Sequence, residues 1–189
     1  MKVLLLNGPP GSGKDLLGEL ICNRLQEPGS VYYQRYKMSQ PLKDGICAAF
    51  HLPFEYLEAR KDRPLPELHG RTFRQLQISM SEDWLKSLYS QRIFGEIAVR
   101  HMRAGNANVW VVTDSGFTGE ALPIVEEFGQ DNVTCLQLYR QGCDFSADSR
   151  GYIDAETLGI RYMALANNSN DPGQFFNDFI TVSKMVDLI

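Results

Sequence analysis

The sequence has no long hydrophobic run. Its longest aliphatic stretches, such as Val3 to Leu6, cover only a few of the 189 residues, whereas a membrane-spanning helix needs about 20 apolar residues. The apolar start ends at residues 7–10, which are polar or rich in proline, before a signal-peptide core of about 7 apolar residues forms. We therefore expect neither a membrane span nor a secretory leader.

Cysteine is scarce and scattered along the chain. The four cysteines contain no C-x-x-C pair, which argues against a zinc site of paired thiolates and against a secreted disulfide scaffold. They are Cys22, Cys47, Cys135 and Cys143. This usage is typical of a protein of the reducing cytoplasm.

The chain lacks the excess of positive charge that proteins use to bind nucleic acid polymers. Its 19 basic and 23 acidic residues give a net charge of −4, which offers a polyanionic backbone little attraction. Residues 35–74 depart from this balance, with eight bases against five acids. A local basic segment in an acidic chain favours a small anionic ligand over a polymer.

Strand and helix signals alternate along the sequence. Short apolar runs predict strands near residues 3–7, 31–36, 108–113, 133–139 and 162–165. Helical spacing predicts helices near residues 16–25, 41–50, 72–89, 91–103 and 120–128, and a last one that carries Phe175 and Val186. Leu42, Ile46 and Phe50 are expected on one helix face. The alternation predicts an α/β fold with a parallel sheet, whose ligands bind at the carboxyl ends of the strands.

Residues 8–15, GPPGSGKD, match the phosphate-binding loop pattern G-x-x-x-x-G-K-[ST] at every position but the last. Glycines let such a backbone curl so that its N–H groups point at phosphate oxygens, and the following helix adds the positive end of its dipole. The residues predicted to bind the phosphates of ATP are Gly8, Gly11, Ser12, Gly13 and Lys14. The alternative interpretation is an ordinary glycine-rich turn.

Asp15 replaces the serine or threonine that usually binds Mg²⁺ in this loop. A carboxylate can hold the same ion, directly or through a water, because Mg²⁺ prefers hard oxygen ligands. We therefore predict that Asp15 is a metal ligand and that nucleotide binding requires Mg²⁺. The alternative is that Asp15 only stabilises the first turn of the helix.

Asp114 follows the most hydrophobic predicted strand, at residues 108–113. A carboxylate at such a strand end can orient a water bound to Mg²⁺ or contact the acceptor of a phosphoryl group. Asp114 is therefore a candidate catalytic and substrate-binding residue. A buried or capping aspartate is the alternative.

Further segments resemble the bacteriophage deoxynucleoside monophosphate kinases, and more distantly the phosphomevalonate kinases, which share the Gly-Lys-Asp loop. The similar segments are residues 13–15, QPLK at 40–43, RKD at 60–62, RTFRQLQ at 71–77 and Asp114. The resemblance implies a P-loop kinase, a three-layer αβα sandwich with a parallel five-stranded sheet in a single domain of residues 1–189. It also implies an acceptor-binding region at about 37–104 and a lid at about 140–153.

The resemblance implies particular roles for several basic and amide residues. Arg71 and Arg74, expected to share a face at the start of a helix, would grip the acceptor phosphate with Lys43, and Arg74 would also be catalytic. Arg150 would be a catalytic lid arginine. Arg140 and Asn168 would contact the nucleotide, with Asn167 beside them. Solvated arginines and turn-forming asparagines are the alternatives.

One departure from the family pattern concerns the residues after Asp114. Relatives commonly carry an arginine there, whereas this chain has Ser115, Gly116 and Phe117. One phosphate contact is therefore missing or is supplied elsewhere. This difference affects the identity of the acceptor more than it affects the binding of ATP.

The leading hypothesis is transfer of the γ-phosphoryl group from ATP, with Mg²⁺, to a (deoxy)nucleoside monophosphate. Catalysis would consist of alignment and charge neutralisation by Lys14 and the arginines. The alternatives are a kinase of a small non-nucleotide metabolite and a non-catalytic nucleotide-binding module. The expected partner is a small nucleotide rather than a nucleic acid polymer or a membrane, in the cytoplasm of a host if the chain is of phage origin, and a homodimer is left open.

Overall fold

The computed structural model describes residues 1–26, 29, 31–146 and 148–184. Within them the strands are β1 (Lys2–Asn7), β2 (Tyr33–Tyr36), β3 (Val109–Ser115), β4 (Val133–Tyr139) and β5 (Arg161–Ala166). They form one parallel sheet in the order β2-β3-β1-β4-β5. The five predicted strands and the α/β fold are confirmed, although β2 begins later than the predicted residue 31.

Helices connect the strands in the described part of the chain. They are α1 (Lys14–Arg24), α2 (Gln40–Phe50), α3 (Phe54–Glu58), α4 (Phe73–Ser79), α5 (Ile93–Ala104), α6 (Thr118–Phe128) and α7 (Pro172–Lys184). Short 3₁₀ turns cover Pro66–Leu68 and Gln130–Asn132, and a π-helical segment covers Met80–Lys86. Val186, which the last predicted helix carries, lies outside the described residues.

The central strand β1 is apolar on both of its faces because helices cover both sides of the sheet. Val3 and Leu5 belong to the core that α5 and α6 complete. Leu4 and Leu6 belong to the opposite core, which α1 and α7 complete. These layers make the three-layer αβα sandwich, and they hold the carboxyl end of β1 in a fixed position.

The segment between β2 and β3 has a small core of its own. Apolar residues of α2, α3, α4 and the intervening turn form it, namely Ile46, Leu57, Leu65, Leu68 and Phe73. The predicted loop at residues 53–70 therefore contains α3 and a 3₁₀ turn. Phe50, expected beside Leu42 and Ile46 on a buried face, is 37% exposed because it lies at the end of α2, beyond this core.

The helix predicted at residues 72–89 differs in the structure. Its first residue is Phe73, because Thr72 caps it through reciprocal hydrogen bonds with Gln75 of 3.0 and 2.9 Å. After α4 the backbone widens into the π-helical segment Met80–Lys86. Local hydrophobic spacing does not distinguish such a segment from a regular helix, so its position is a property of the fold.

Two further predictions concern the whole chain. All four cysteines are free of disulfide bonds. No helix in the described part of the chain is both long enough and apolar enough to cross a membrane. The homodimer and the cytoplasmic location remain predictions.

A buried ion pair joins the π-helical segment to α6. The Nζ of Lys86 lies 3.2 Å from Oε1 of Glu120, and the two side chains are 4% and 7% exposed. Lys86 also lies 3.0 Å from Oε1 of Glu82 and stands over the ring of Phe117 at 4.1 Å. Burial raises the pKa of Glu120 to about 7, although the charge of Lys86 opposes the increase.

We predict that Glu120 makes the protein less stable as the pH rises. A carboxyl group with an ordinary pKa of 4.5 and a folded-state pKa of about 7 binds more protons in the folded state. Its contribution to stability is therefore full below pH 4.5 and is lost as the pH rises through 7. Between pH 4.5 and pH 8, the unfolding free energy of the wild type should fall by about 1–3 kcal/mol more than that of Glu120→Gln.

Urea unfolding followed by circular dichroism measures this difference. Glu126→Gln is the control, since Glu126 is on the same helix and its side chain is 52% exposed. An equal pH dependence of the Glu120→Gln and wild-type proteins would show that Glu120 titrates normally.

Candidate functional site

The GPPGSGKD loop connects the carboxyl end of β1 to α1. The neighbours of β1 are β3 on one side and β4 on the other, so connections leave the sheet in opposite directions at this point. Ligands of open α/β sheets bind in the crevice that such a divergence creates. The loop therefore lies where this fold is expected to bind a ligand.

Two glycines of the loop are required by close packing. A Cβ atom at Gly8 would lie 2.6 Å from the carbonyl oxygen of Leu138, at the end of β4. Gly13 has a φ of 100°, and a Cβ there would lie 2.6 Å from Nδ2 of Asn167. Gly11 also has a positive φ, of 79°. The glycines of the motif thus permit a curled backbone that contacts the ends of β4 and β5.

Lys14 lies inside the curve of the loop. Its Nζ donates hydrogen bonds to the carbonyl oxygens of Gly8 at 2.6 Å and Pro9 at 2.7 Å. Lys14 is only 7% exposed. Burial and the positive charge of Arg150 lower the pKa of Lys14 to about 8. An ammonium group has three N–H donors, so one remains for an anionic ligand, whose charge would also relieve the repulsion between the two cations.

The loop is supported from the side of β5 by Asn167. Its Nδ2 donates to the carbonyl oxygen of Ser12 at 3.0 Å, and its backbone N–H donates to Tyr139 at 2.7 Å. Asn167 is buried, whereas Asn168, for which nucleotide binding was predicted, is exposed. The prediction named Asn168, whereas the structure places its neighbour Asn167 against the loop.

Arg140 reaches the same loop from the end of β4. Its guanidinium donates to the carbonyl oxygen of Gly11 and to Oδ1 of Asn170, each at 3.2 Å. The geometry therefore places this predicted nucleotide-binding residue at the loop. The positive charge of Arg140 adds to the partial positive charge at the N-terminus of α1.

Asp15 forms an ion pair that the sequence did not indicate. Its Oδ1 lies 2.6 Å from Nζ of Lys37 and accepts a hydrogen bond from Oγ1 of Thr113 at 3.2 Å. Partial burial acts to raise the pKa of Asp15, but the hydrogen bonds and positive charges of Lys37 and its neighbours outweigh it and lower the pKa. Asp15 is thus ionised, and both contacts use the same oxygen.

The described residues contain no group of three or more histidine, cysteine or acidic side chains that could hold a metal ion. Mg²⁺ in phosphate-transfer sites is commonly held by one or two carboxylates together with the oxygens of the phosphates. Asp15 fits that role, because its side chain is 65% exposed and a carboxylate offers hard oxygen ligands.

Asp114 holds the start of α2 in place. Its Oδ1 accepts from the backbone N–H of Met38 at 2.7 Å, and its Oδ2 accepts from the N–H and the hydroxyl of Ser39 at 3.0 and 2.7 Å. The carboxylate thus joins the end of β3 to the segment that follows β2. It is partly exposed and acts electrostatically on Lys14, and its catalytic and substrate-binding role remains a prediction.

Arg150 lies at the carboxyl edge of the sheet in a bidentate ion pair with Asp148. Its Nε donates to Oδ1 of Asp148 at 2.9 Å, and one Nη donates to Oδ2. The hydrogen bond to Asp148 raises the pKa of Arg150 despite partial burial. Arg150 acts electrostatically on both Lys14 and Arg74. These predicted catalytic cations therefore converge on one region.

Asn7 is a buried polar residue that the sequence analysis missed. It is fully buried, and its Nδ2 donates to the carbonyl oxygens of Ser115 and Gly151, both at 2.9 Å. Its Oδ1 accepts from the N–H of Ile153 at 2.8 Å. An asparagine at the end of an otherwise apolar strand was the available signal. Asn7 connects β1, β3 and the segment between β4 and β5.

The predicted acceptor-binding residues are not all arranged as expected. Arg74 is the second residue of α4, and its Nε lies 2.5 Å from Oδ1 of Asp62. Arg71 does not share the start of that helix, because Thr72 is the cap and Arg71 pairs with Leu65 in a β-bridge. The expectation of a shared helix face was wrong.

Lys43, the third predicted anchor, forms an ion pair within the segment between β2 and β3. Its Nζ lies 2.9 Å from Oε2 of Glu58 and stands over the ring of Phe54 at 5.5 Å. Its side chain is 11% exposed. These contacts join α2 to α3, so the structure assigns Lys43 a supporting position, and its phosphate contact remains a prediction.

A cleft of about 370 Å³ opens beside the end of β2, next to Lys37. Its lining residues are Arg35, Tyr36, Lys37, Gln40, Pro41, Asp44, Ile97 and His101. The hydroxyl of Tyr36 is buried and has no hydrogen-bond partner among the described residues. The cleft extends the candidate site along the edge of the sheet.

No family model matches the sequence, and no curated protein matches it. A gluconokinase from Sinorhizobium meliloti 1021 is similar in structure, with a TM-score of 0.48, 11% identity, and coverage of 98% of this chain and 94% of its own. A shikimate kinase from Bacteroides thetaiotaomicron has a TM-score of 0.41, 16% identity and coverage of 99% of each chain.

We predict that Asn167→Ala weakens ATP binding about tenfold. The substitution removes the donor that holds the Ser12 carbonyl, and a buried acceptor left without its partner costs roughly 1–3 kcal/mol. Isothermal titration with Mg²⁺-ATP measures the loss. Asn168→Ala is titrated in parallel to measure the contribution of the exposed amide. An unchanged affinity in Asn167→Ala would mean that the support from Asn167 is dispensable.

Proposed function

We propose that the protein is a P-loop phosphotransferase that transfers the γ-phosphoryl group of ATP to a small-molecule acceptor. The observation that carries the proposal is that Lys14 lies inside the glycine-rich loop after β1, while Arg150 packs on Gly116 at the end of β3, the strand beside β1. The positive charge of Arg150 also acts on Lys14. Two partly buried cations beside a curled glycine-rich loop stabilise a polyphosphate strongly, because their charges are little screened there.

The loop supplies further groups that suit phosphate oxygens. The buried hydroxyl of Ser12 has no hydrogen-bond partner among the described residues. The N-terminus of α1 follows Gly13 and adds the partial positive charge of unpaired backbone N–H groups. A phosphate group would satisfy the hydroxyl and the third N–H donor of Lys14.

The reaction breaks the bond between the γ-phosphorus and the bridging oxygen of ATP and forms a bond from that phosphorus to an acceptor oxygen, leaving ADP. Lys14 and Arg150 neutralise the charge of the group in transfer. Arg74 is the acceptor-side cation, since Arg150 and Asp148 act on it electrostatically. Asp114 orients the acceptor side by fixing the start of α2.

Asp15 would hold Mg²⁺, which supplies further neutralisation of phosphate charge when it is bound. Lys37 shares Oδ1 of Asp15 with Thr113, so it neutralises the carboxylate from the protein side. Arg140 and Asn167 support the loop, and Asn168 remains a proposed nucleotide contact.

A (deoxy)nucleoside monophosphate is the acceptor that the sequence resemblance favours. A specific observation favours the alternative of a non-nucleotide metabolite. Lys43 pairs with Glu58, and Arg71 lies outside the helix that carries Arg74, so the set of cations for an acceptor phosphate is smaller than predicted. A hydroxylated acceptor needs fewer cations, and Asp114 or Asp44 could serve as its base. The experiment therefore includes both classes.

We predict ADP release from Mg²⁺-ATP with at least one acceptor, and its loss by at least 100-fold in Lys14→Ala, because that variant lacks the cation within the loop. A coupled assay with all nucleoside and deoxynucleoside monophosphates, followed by a panel of hydroxylated and phosphorylated metabolites, measures it. Asp15→Asn should raise the Mg²⁺ concentration needed for half-maximal rate. ATP binding that depends on Lys14, without turnover of any acceptor, would identify a nucleotide-binding module instead.

We predict that Arg74→Ala raises the KM for the acceptor about tenfold or more, since a hydrogen bond to a charged group contributes roughly 1.5–3 kcal/mol. The KM for ATP should change little. Arg103→Ala is the matched control, because Arg103 is also an exposed, ion-paired arginine but lies at the end of α5 that precedes β3, near the amino ends of the strands. If both substitutions raise the KM for the acceptor equally, Arg74 does not bind the acceptor.

A further inference from the structure

The stem of Arg150 lies directly on the backbone of Gly116. A Cβ atom added at Gly116 would lie 2.6 Å from each of Cβ, Cγ and Cδ of Arg150. Contacts below 3.0 Å are essentially absent between real Cβ atoms and their neighbours, so any side chain at position 116 would displace Arg150. Gly116 is also the second residue after Asp114, where the sequence offers no cation.

The backbone on both sides of this contact is fixed by hydrogen bonds. The N–H of Gly151 donates to the carbonyl oxygen of Gly116 at 3.0 Å. Asn7 then joins Ser115 to Gly151 and Ile153 through its side-chain amide. The residues next to Arg150 are therefore attached to the ends of β1 and β3.

The orientation of the guanidinium is fixed as well. Asp148 accepts from the Nε, from one Nη and from the backbone N–H of Arg150. This pairing leaves the remaining N–H donors of the guanidinium available, since arginine has five. The positive charge of Arg150 acts on Lys14, across the loop.

We propose that Gly116 and Asn7 are positioning residues that hold Arg150 against the sheet as the phosphate-facing cation of the site, in the space that a side chain at position 116 would otherwise fill. The inference rests on the proposed function, in which Arg150 faces the phosphates of ATP. Because residue 116 has no side chain, Arg150 can occupy that space and supply this positive charge.

The first test is structural and needs no ligand. The Nε–H signal of Arg150 is identified in a nitrogen–proton NMR spectrum by its loss in Arg150→Lys. Gly116→Ala should move this signal strongly. Gly119→Ala is the matched control, because it is a glycine three residues further on whose added Cβ would meet no atom within 4 Å. Equal shifts in the two alanine variants would overturn the positioning of Arg150 by Gly116.

The second test measures Mg²⁺-ATP affinity by isothermal titration. Gly116→Ala should weaken binding about tenfold, and Gly119→Ala should change it less than twofold. In an Arg150→Gly background, Gly116→Ala should have no further effect, because that background removes every side-chain atom of residue 150, including the Cβ, that the added Cβ would meet. A further tenfold loss in that background would mean that Gly116 acts on the loop itself, which overturns the proposal.

The two tests distinguish the failure of this inference from the failure of the proposed function. If Lys14→Ala binds Mg²⁺-ATP as well as the wild type does, the nucleotide function is wrong, and the NMR comparison still decides whether Gly116 positions Arg150. If Lys14→Ala abolishes binding while Arg150→Ala leaves it unchanged, the function stands and the assignment of Arg150 as a phosphate-facing cation is wrong.

Discussion

The hydrogen bonds of the Asn7 side chain are the constraint on which the candidate site depends. The amide is fully buried at the end of the central strand, and it joins that strand to Ser115, Gly151 and Ile153. A buried amide requires partners, because an unpaired polar group in a core is costly. Its three bonds therefore hold the ends of β1 and β3 and the segment before β5 in one arrangement, above which the loop and Arg150 lie.

Charge is concentrated at this end of the sheet for a physical reason. The layers below it are apolar on both faces of β1, so charged side chains near the central strand reach solvent where that strand ends. There Asp15 pairs with Lys37, Asp148 pairs with Arg150, and Asp114 binds backbone donors. Lys14 is held by the carbonyl oxygens of Gly8 and Pro9 rather than by a carboxylate. This arrangement suits a ligand that brings its own negative charge.

Sequence patterns predicted the elements whose signals are local. Alternating apolar runs located the five strands, and the spacing of GPPGSGKD located the loop, because glycine conformations and a following helix are encoded within a few residues. The pattern did not predict the π-helical segment. It also did not predict that the helix carrying Arg74 begins after Arg71, because hydrophobic spacing does not mark the residue at which a helix starts. It pointed to Asn168 rather than Asn167 as the nucleotide contact, because only tertiary contacts distinguish the buried amide from the exposed one.

The sequence by itself determined the α/β architecture, the place of the glycine-rich loop and the residue types available for binding phosphate. The tertiary structure decided which charges meet. Asp15 and Lys37 are distant in sequence, and so are Gly116 and Arg150, yet parallel strands bring all their carboxyl ends to one edge. Local patterns carry no information about such pairings, because they depend on the order of strands in the sheet and on the close approach of side chains across it.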